Sequence, residues 1–153
     1  MGADARIQEL KLELPPAPKP VATYVTALRQ GDLLYVSGHG PLKADGTLIT
    51  GKVGAELDLE AGRAAARQVG LAILATLKSH LGSLDKVTRL VKSLGLVNCT
   101  AEFAQQPQVI NGYSDLMKEV FGDLGVGTRS AVGTNALPGN IAVEIEAIFQ
   151  VAD

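Results

Sequence analysis

Odd-numbered positions in the segment Val143–Val151 are apolar, and the even-numbered positions carry Glu144, Glu146, Ile148 and Gln150. Successive side chains of a β-strand point to opposite faces, so this alternation predicts a strand with one buried and one mostly polar face. The preceding Leu137-Pro138-Gly139-Asn140 has the residues of a tight turn, because proline fixes φ and glycine supplies a positive φ. Residues 130–134 tolerate β structure. The C-terminal part of the chain therefore predicts two strands joined by a turn.

Arg129 stands at the start of the first of these strands, and Glu144 and Glu146 share one face of the second. We expect the turn at residues 137–140 to set a register in which Arg129 and Glu144 share one wall of a cleft. An arginine facing a glutamate suits a small acid with a water molecule beside it. The alternative is a solvated ion pair on the sheet surface, which is the more usual role of charged pairs without a further motif.

Apolar periodicity and turn residues elsewhere predict the element order β-β-β-α-β-α-β-β. The strands expected before the C-terminal pair are residues 21–28, 33–37, 48–50 and 84–98. The first helix is expected to begin after Asp58, a good N-terminal capping residue, and to end at Leu81 before a left-handed Gly82. Pro107 is suited to open the second helix.

The first twenty residues differ in composition from the rest. Four prolines lie between positions 15 and 20, which excludes a helix or a central strand there. We expect a short helix at residues 5–12, an extended tether, and then a single domain over residues 21–153. The length of 153 residues fits one domain, and 46% hydrophobic with only 4% aromatic residues predicts an aliphatic core.

This mixture of strands and helices, with hairpins at both ends, predicts an α+β sandwich. Both helices are expected to pack on one face of a mixed β-sheet. The other face then stays uncovered. It carries Ile148 among its polar residues, and a half-apolar open face predicts association with other copies of the chain.

Charge and cysteine content narrow the classes of function. The chain has 14 Lys and Arg against 16 Asp and Glu, a net charge of −2, without a basic stripe that would neutralise phosphates. A nucleic-acid partner is therefore not expected. Cys99 is the only cysteine, which rules out an internal disulfide and fits a reducing compartment. No early apolar run follows a basic start and no stretch is long enough to span a membrane, so we expect a cytoplasmic protein.

Common catalytic motifs do not match. The run Tyr35-Val36-Ser37-Gly38-His39 lacks the Gly-x-Ser-x-Gly pattern of the serine-hydrolase turn. Only two histidines occur, and neither joins Cys99 at metal-ligand spacing, so a zinc site is not expected. Arg129 and the two carboxylates Glu144 and Glu146 remain as the candidate group for chemistry.

Five segments together form a more specific pattern: Val36-Ser37-Gly38-His39-Gly40-Pro41, Asn111, Arg129-Ser130, Leu137-Pro138 and Val143-Glu144-Ile145-Glu146-Ala147. Across residues 21–151 this pattern resembles the reactive intermediate deaminases, the RidA or YjgF-type family, also called endoribonuclease L-PSP-like. The intervals from Arg129 to the Leu-Pro pair and on to Glu144 are the most specific part of the resemblance.

The resemblance implies a chorismate-mutase-like (YjgF-type) fold and a homotrimer. The uncovered sheet faces would form a central β-barrel, with clefts between subunits. It also implies hydrolysis of reactive 2-imino acids and their enamine tautomers to 2-keto acids and ammonia, as in 2-iminobutanoate/2-iminopropanoate deaminases. No metal or cofactor is expected, and the expected partner is a small imino or keto acid rather than a membrane or a nucleic acid.

Roles for single residues follow from the same resemblance. Arg129 matches an arginine that binds the substrate carboxylate, which suits a bidentate guanidinium. Glu144 matches a glutamate that orients or activates the attacking water. The other positions match a pocket-wall tyrosine, a strand-end pair facing the ligand, a rim asparagine and a backbone donor where many members have cysteine, namely Tyr24, Ser37, Gly38, Asn111 and Ala131.

Three departures indicate a divergent branch and leave the substrate open. His39 stands where glutamine is common, residues 51–57 form a longer segment that could reshape the cleft, and the N-terminal extension is unusual. Glu146 is expected to pair with neighbours or lie in an interface.

Two other functions stay open: a trimer that binds a small carboxylate without turnover, and a ribonuclease or translation inhibitor. The second is disfavoured because the chain has neither a basic face nor a set of stacking aromatic residues.

Overall fold

The computed structural model describes every residue from Met1 to Asp153 and contains three α-helices and five strands. In chain order these are α1 (Ala3–Glu9), β1 (Ala27–Gln30), β2 (Leu33–His39), α2 (Leu59–Leu81), β3 (Val87–Asn98), α3 (Gln106–Phe121), β4 (Thr128–Thr134) and β5 (Val143–Val151). Short 3-10 turns occupy Leu84–Lys86, Gly122–Gly125 and Pro138–Asn140.

The strands form one sheet in the order β1-β2-β5-β3-β4, with β5 at its centre. Only β3 and β4 are parallel, because α3 connects them; the other neighbours are antiparallel. The odd-numbered side chains of β5 are buried, as the alternation predicted. They meet α2 and α3 in an aliphatic core that includes Ile73, Leu77, Ile110, Leu116, Ile145 and Phe149. The predicted α+β fold with a mixed sheet is confirmed.

The ends of the helices follow local chemistry. The Asp58 carboxylate accepts a hydrogen bond from the Ala61 N–H at 2.8 Å, which caps α2 as predicted. Gly82 ends that helix with φ 80°, in the left-handed region. Pro107 lies in the first turn of α3, where its missing N–H has no intrahelical partner to lose. No helix of the protein is both long and apolar enough to cross a membrane.

Four strand predictions need correction, because pairing partners rather than local sequence decide them. The expected C-terminal hairpin does not form, since β4 pairs with β3 and is not adjacent to β5. The first strand starts at Ala27 instead of residue 21, since residues 21–25 are exposed and pair with no strand. Residues 48–50 make only single bridges, to Leu42 and Ile141, and form no strand. β3 starts at Val87, because the Ser83 hydroxyl accepts from the Asp85 N–H and bends residues 84–86 into a 3-10 turn.

The N-terminal helix covers residues 3–9 instead of 5–12 and packs against the body of the protein. Ala3 and Ile7 are buried in the main core cluster. The Asp4 carboxylate accepts from the Ser83 hydroxyl at 2.6 Å and lies 3.2 Å from the Lys78 ammonium. The segment before the proline run therefore shares one core with the domain that follows it.

Gly112 marks the closest approach of α2 and α3. A Cβ added there would lie 2.0 Å from the Arg63 carbonyl oxygen, a backbone atom that cannot rotate away. Glycine-to-alanine changes inside helices usually stabilise by about 0.5–1 kcal/mol. Here we expect Gly112→Ala to lower the free energy of unfolding by about 1–3 kcal/mol, because the helices must separate. Urea denaturation at fixed protein concentration measures this value.

Asp115→Ala is the matched control, because Asp115 is exposed on the same helix. Its effect should stay within about 0.5 kcal/mol. A Gly112→Ala protein as stable as the wild type would contradict the close packing described here.

Candidate functional site

β2 contains a β-bulge next to the centre of the sheet. Val36 lies opposite Ala147 of β5, whereas His39 lies opposite Ile145, so three steps along β2 match two along β5. The extra residue reverses the facing of the strand end, as bulges do. Val36 and His39 are therefore both buried on the helix side, while Gly38 is exposed on the open side.

The bulge brings the backbone of Gly38 against the Glu144 carboxylate. A Cβ added at Gly38 would lie 2.8 Å from Glu144 Oε2, so any larger residue there would displace the carboxylate. Glu144 leaves β5 on the open face, opposite Leu96 of β3. The two residues thus form one wall of a candidate site, with the carboxylate held beside an exposed stretch of backbone.

Burial and a neighbouring charge perturb Glu144. The side chain is half-buried, and loss of hydration raises the pKa of its carboxyl above the usual range. Repulsion from Glu146, two residues along the same face, raises this pKa further. A carboxylate with a raised pKa is a stronger base than a solvated one, which suits proton transfer near neutral pH.

Ser37 forms two hydrogen bonds to the segment that carries Tyr24. Its hydroxyl donates to the Val25 carbonyl at 2.6 Å, and its N–H donates to the Thr26 carbonyl at 3.0 Å. Tyr24 itself is 43% exposed and lies on the irregular segment before β1. Ser37 and Gly38 were expected as a strand-end pair that faces a ligand with a hydroxyl and a backbone N–H. In this chain the Ser37 hydroxyl and the Ser37 N–H are both engaged with backbone carbonyls.

The open face beside Ser37 contains a shallow cavity of about 320 Å³. Its lining mixes apolar side chains with one acid and one base, and includes Leu28, Tyr35, Lys92, Leu94, Glu146 and Ile148. Leu28 and Tyr35 are 52% and 45% exposed, so this face presents large apolar groups to water. The predicted half-apolar open face is therefore present.

Arg129 lies at a different place, on the edge strand β4 beside α3. Its guanidinium donates to the Ser114 hydroxyl at 3.0 Å and to the Pro107 carbonyl at 3.4 Å. Asn111 and Arg129 line the same cleft of about 260 Å³. Ala131 follows two residues later on the same side of β4. None of the ion pairs in the structure includes Arg129, so its charge has no acidic partner within the chain.

Register places Arg129 and Glu144 on opposite faces of the sheet. Arg129 pairs with Ser93 of β3, and Glu144 pairs with Leu96 of the same strand. The two partners are an odd number of positions apart, so the side chains beside them point to opposite sides. The expectation that Arg129 and Glu144 share one cleft wall is wrong for a single chain. The candidate residues form two groups, one around Gly38 and Glu144 and one around Arg129 and Asn111.

Two features left open by the sequence have defined places. His39 is buried, with Nδ1 2.6 Å from the Ser37 carbonyl oxygen and Nε2 2.7 Å from the Thr76 hydroxyl. Sequence reasoning missed Thr76, because no local pattern links it to a residue 37 positions away. The segment at residues 51–57 packs on the end of β3: Val53 is fully buried, and its N–H donates to the Asn98 carbonyl at 2.8 Å.

Comparison with known proteins places this arrangement in a family. The family model described as endoribonuclease L-PSP matches residues 15–151, which is most of the chain. The chain belongs to the endoribonuclease L-PSP family. This is the RidA or YjgF-type family that the sequence pattern resembles, and its solved structures include proteins of the Rid and RidA type.

Individual proteins match over nearly the whole chain. Protein TCP17 of Trypanosoma cruzi is 40% identical over 148 residues, 96% of this chain and 92% of its own. Atu1372 from Agrobacterium tumefaciens, a protein of unknown function, is 39% identical with a TM-score of 0.89, covering 98% of this chain and 94% of its own. YyfA from Yersinia pestis, of the conserved Rid family and also of unknown function, is 28% identical with a TM-score of 0.65, over 91% and 96%.

The raised pKa of Glu144 predicts a pH dependence of stability. The folded protein keeps a proton on this carboxyl at pH values where the unfolded chain, with an ordinary glutamate pKa, has lost it. The contribution to stability is therefore full below the unfolded pKa and falls as pH rises to the folded pKa. We expect the Glu144→Gln protein to lack this fall. Between the unfolded and the folded pKa of Glu144, its free energy of unfolding should therefore rise relative to that of the wild type. Urea denaturation at a series of pH values measures the difference.

Two further variants test the assignment. Glu60→Gln, an exposed change on α2, should leave the pH dependence as in the wild type. Glu146→Gln should narrow the pH range over which stability falls without abolishing it, because burial is the larger cause of the raised Glu144 pKa. A wild type and Glu144→Gln that respond identically to pH would refute the raised pKa.

Proposed function

We propose that this protein hydrolyses reactive 2-imino acids and their enamine tautomers to 2-keto acids and ammonia. The observation that carries the proposal is the Glu144 carboxylate, half-buried with a raised pKa against the bare backbone of Gly38. Membership of the Rid and L-PSP family, which includes deaminases, supports the same reaction class. We further propose that the protein works in the cytoplasm, where its single Cys99 would stay reduced.

Substrate binding is assigned to Arg129. Its guanidinium is exposed at the edge of the sheet and has only neutral hydrogen-bond partners, Ser114 and Pro107. Two parallel N–H groups on one guanidinium match the two oxygens of a carboxylate. Asn111, in the same cleft, would then lie at the rim of the bound acid.

Water addition is assigned to Glu144. Its carboxylate takes a proton from water as the oxygen bonds to the imine carbon, and it returns that proton to the imine nitrogen. The carboxylate then moves the hydroxyl proton of the tetrahedral adduct to the amino nitrogen, so that the C–N bond breaks, ammonia leaves and a keto group remains. A positioned carboxylate contributes roughly 10²–10⁴-fold to such a step. The reaction transfers only protons and water, so it requires no redox cofactor.

A complete site in this proposal needs two chains. Arg129 and Glu144 lie on opposite faces of one sheet, so a single chain cannot bring the two side chains to one bound substrate. We propose a homotrimer in which the apolar open faces meet in a central barrel, and each cleft takes Glu144 from one subunit and Arg129 from the next. The exposed Leu28, Tyr35 and Val132 are the surface that such an assembly would bury.

A second candidate function is binding of a small carboxylate without turnover, for sensing or regulation. Arg129 without an acidic partner would serve it equally well. The activity assay below separates the two, because a sensor would be stabilised by keto acids but would not hydrolyse imines. Ribonuclease activity has weaker support, because the net charge is −2 and no basic face attracts phosphates.

The direct test generates 2-iminopropanoate in the cuvette with a pyridoxal-phosphate lyase and follows its decay. We expect pure protein to accelerate the decay. Arg129→Ala should lower kcat/KM by about 10²-fold, through loss of a charge-assisted pair. Glu144→Gln should lower kcat by roughly 10²–10⁴-fold. Absence of acceleration by wild-type protein, or full activity of Arg129→Ala, would reject the proposal.

The shared site predicts complementation between two inactive variants. Mixed trimers of Arg129→Ala and Glu144→Gln chains, formed by refolding together, contain clefts in which both wild-type residues meet. With random assembly about one quarter of the clefts are complete, because two adjacent chains must each be of the right type. We therefore expect about one quarter of the wild-type activity by this counting. Refolding each variant alone is the control, and an inactive mixture would mean that one chain supplies both residues.

A further inference from the structure

His39 and Thr76 form a buried polar contact on the far side of the sheet from Glu144. His39 is only 3% exposed and Thr76 only 1%. The imidazole is held at both nitrogens, by the Ser37 carbonyl oxygen at 2.6 Å and by the Thr76 hydroxyl at 2.7 Å. A buried polar group is costly unless hydrogen-bonded, so this contact constrains the position of the ring.

The partners determine how the protons are arranged. A carbonyl oxygen only accepts, so His39 Nδ1 carries hydrogen and donates to Ser37. Burial lowers the pKa of the imidazole and keeps it neutral, so Nε2 accepts from the Thr76 hydroxyl. One tautomer of His39 thus forms hydrogen bonds both to the middle of α2 and to the backbone of β2.

The backbone atom that His39 binds belongs to the bulge. Ser37 and Gly38 together oppose Glu146, and this extra residue turns His39 towards α2 and Gly38 towards the open face. Because Gly38 packs against Glu144, a change in the bulge displaces the wall against which that carboxylate rests. The position of Glu144 therefore depends on a contact made on the opposite face.

We propose that His39 and Thr76 are a pair of positioning residues that lock the bulge at Ser37-Gly38 and so hold the Glu144 carboxylate in place for water addition. The inference rests on the proposed imine hydrolysis and adds residues that touch no substrate. Arg129 is in the other group of candidate residues, so the pair should influence the chemical step rather than carboxylate binding.

Thr76→Val and Thr76→Ser are the test variants. Valine keeps the shape of threonine without its hydroxyl, whereas serine keeps the hydroxyl. We expect Thr76→Val to lower kcat by roughly 10- to 100-fold with KM little changed, as a small misplacement of a catalytic group does. Thr76→Ser should retain near wild-type kcat. His39→Gln, whose amide can donate to Ser37 and accept from Thr76, should retain far more activity than His39→Leu.

A purely structural role gives a different result. Thr76→Val and His39→Leu would then lower the melting temperature, while kcat per folded protein stayed at the wild-type value. That outcome, or equal losses in Thr76→Ser and Thr76→Val, overturns the proposal. All variants are assayed well below their melting temperatures after a check that their oligomeric state matches the wild type.

An NMR measurement separates failure of this inference from failure of the proposed function. Imidazole nitrogen shifts report the tautomer of His39, and amide and carboxyl shifts report Gly38 and Glu144. We expect Thr76→Val to release the single tautomer and to shift both of the other signals, while Thr76→Ser leaves them in place. If wild-type protein hydrolyses no imine, the function fails, and these shifts alone decide the positioning role; unchanged Gly38 and Glu144 signals in Thr76→Val reject it.

Discussion

β5 has hydrogen-bonded neighbours on both sides, and its fixed alternation decides where the candidate side chains lie. Its odd-numbered residues face the helices, which places Glu144 and Glu146 on the open face. A one-residue slip would move both carboxylates into the aliphatic core and would expose Ile145 and Phe149 to water. Burial of the apolar row therefore holds the register in which the Glu144 carboxylate stays half-exposed. The same forces that stabilise the fold determine the face on which its chemistry can occur.

The bulge in β2 is a local exception to this alternation, and it lies beside Glu144. Regular pairing would have turned His39 outward and Gly38 into the core. The additional residue reverses both, so that a polar ring enters the helix side and a residue without a side chain faces the carboxylate. The buried ring would be unfavourable there without partners, and the Ser37 carbonyl and Thr76 hydroxyl supply them. Core packing and the candidate site are thus connected through one irregularity of the sheet.

Features that depend on nearby residues could be predicted from the sequence. The cap at Asp58, the left-handed Gly82 and the burial of alternate residues in β5 each follow from local chemistry. The start of β1 could not, because residues 21–25 have strand-like side chains but no partner strand. The relation of Arg129 to Glu144 could not either, since it depends on how two strands pair with β3 across the sheet. Single-sequence patterns give the facing of each strand, but they do not give the register between strands.

Division of the candidate residues between two faces also bears on the electrostatics of the proposed site. In the proposed trimer a second copy covers the open face, and removal of water raises the pKa of Glu144 beyond its value in one chain. A neighbouring Arg129 opposes this effect while its charge is free. Once a substrate carboxylate pairs with that guanidinium, the opposing charge is neutralised. Burial and the charge of Glu146 then again determine the pKa of Glu144. Substrate binding would then itself make Glu144 the stronger base, at the moment when water must lose its proton.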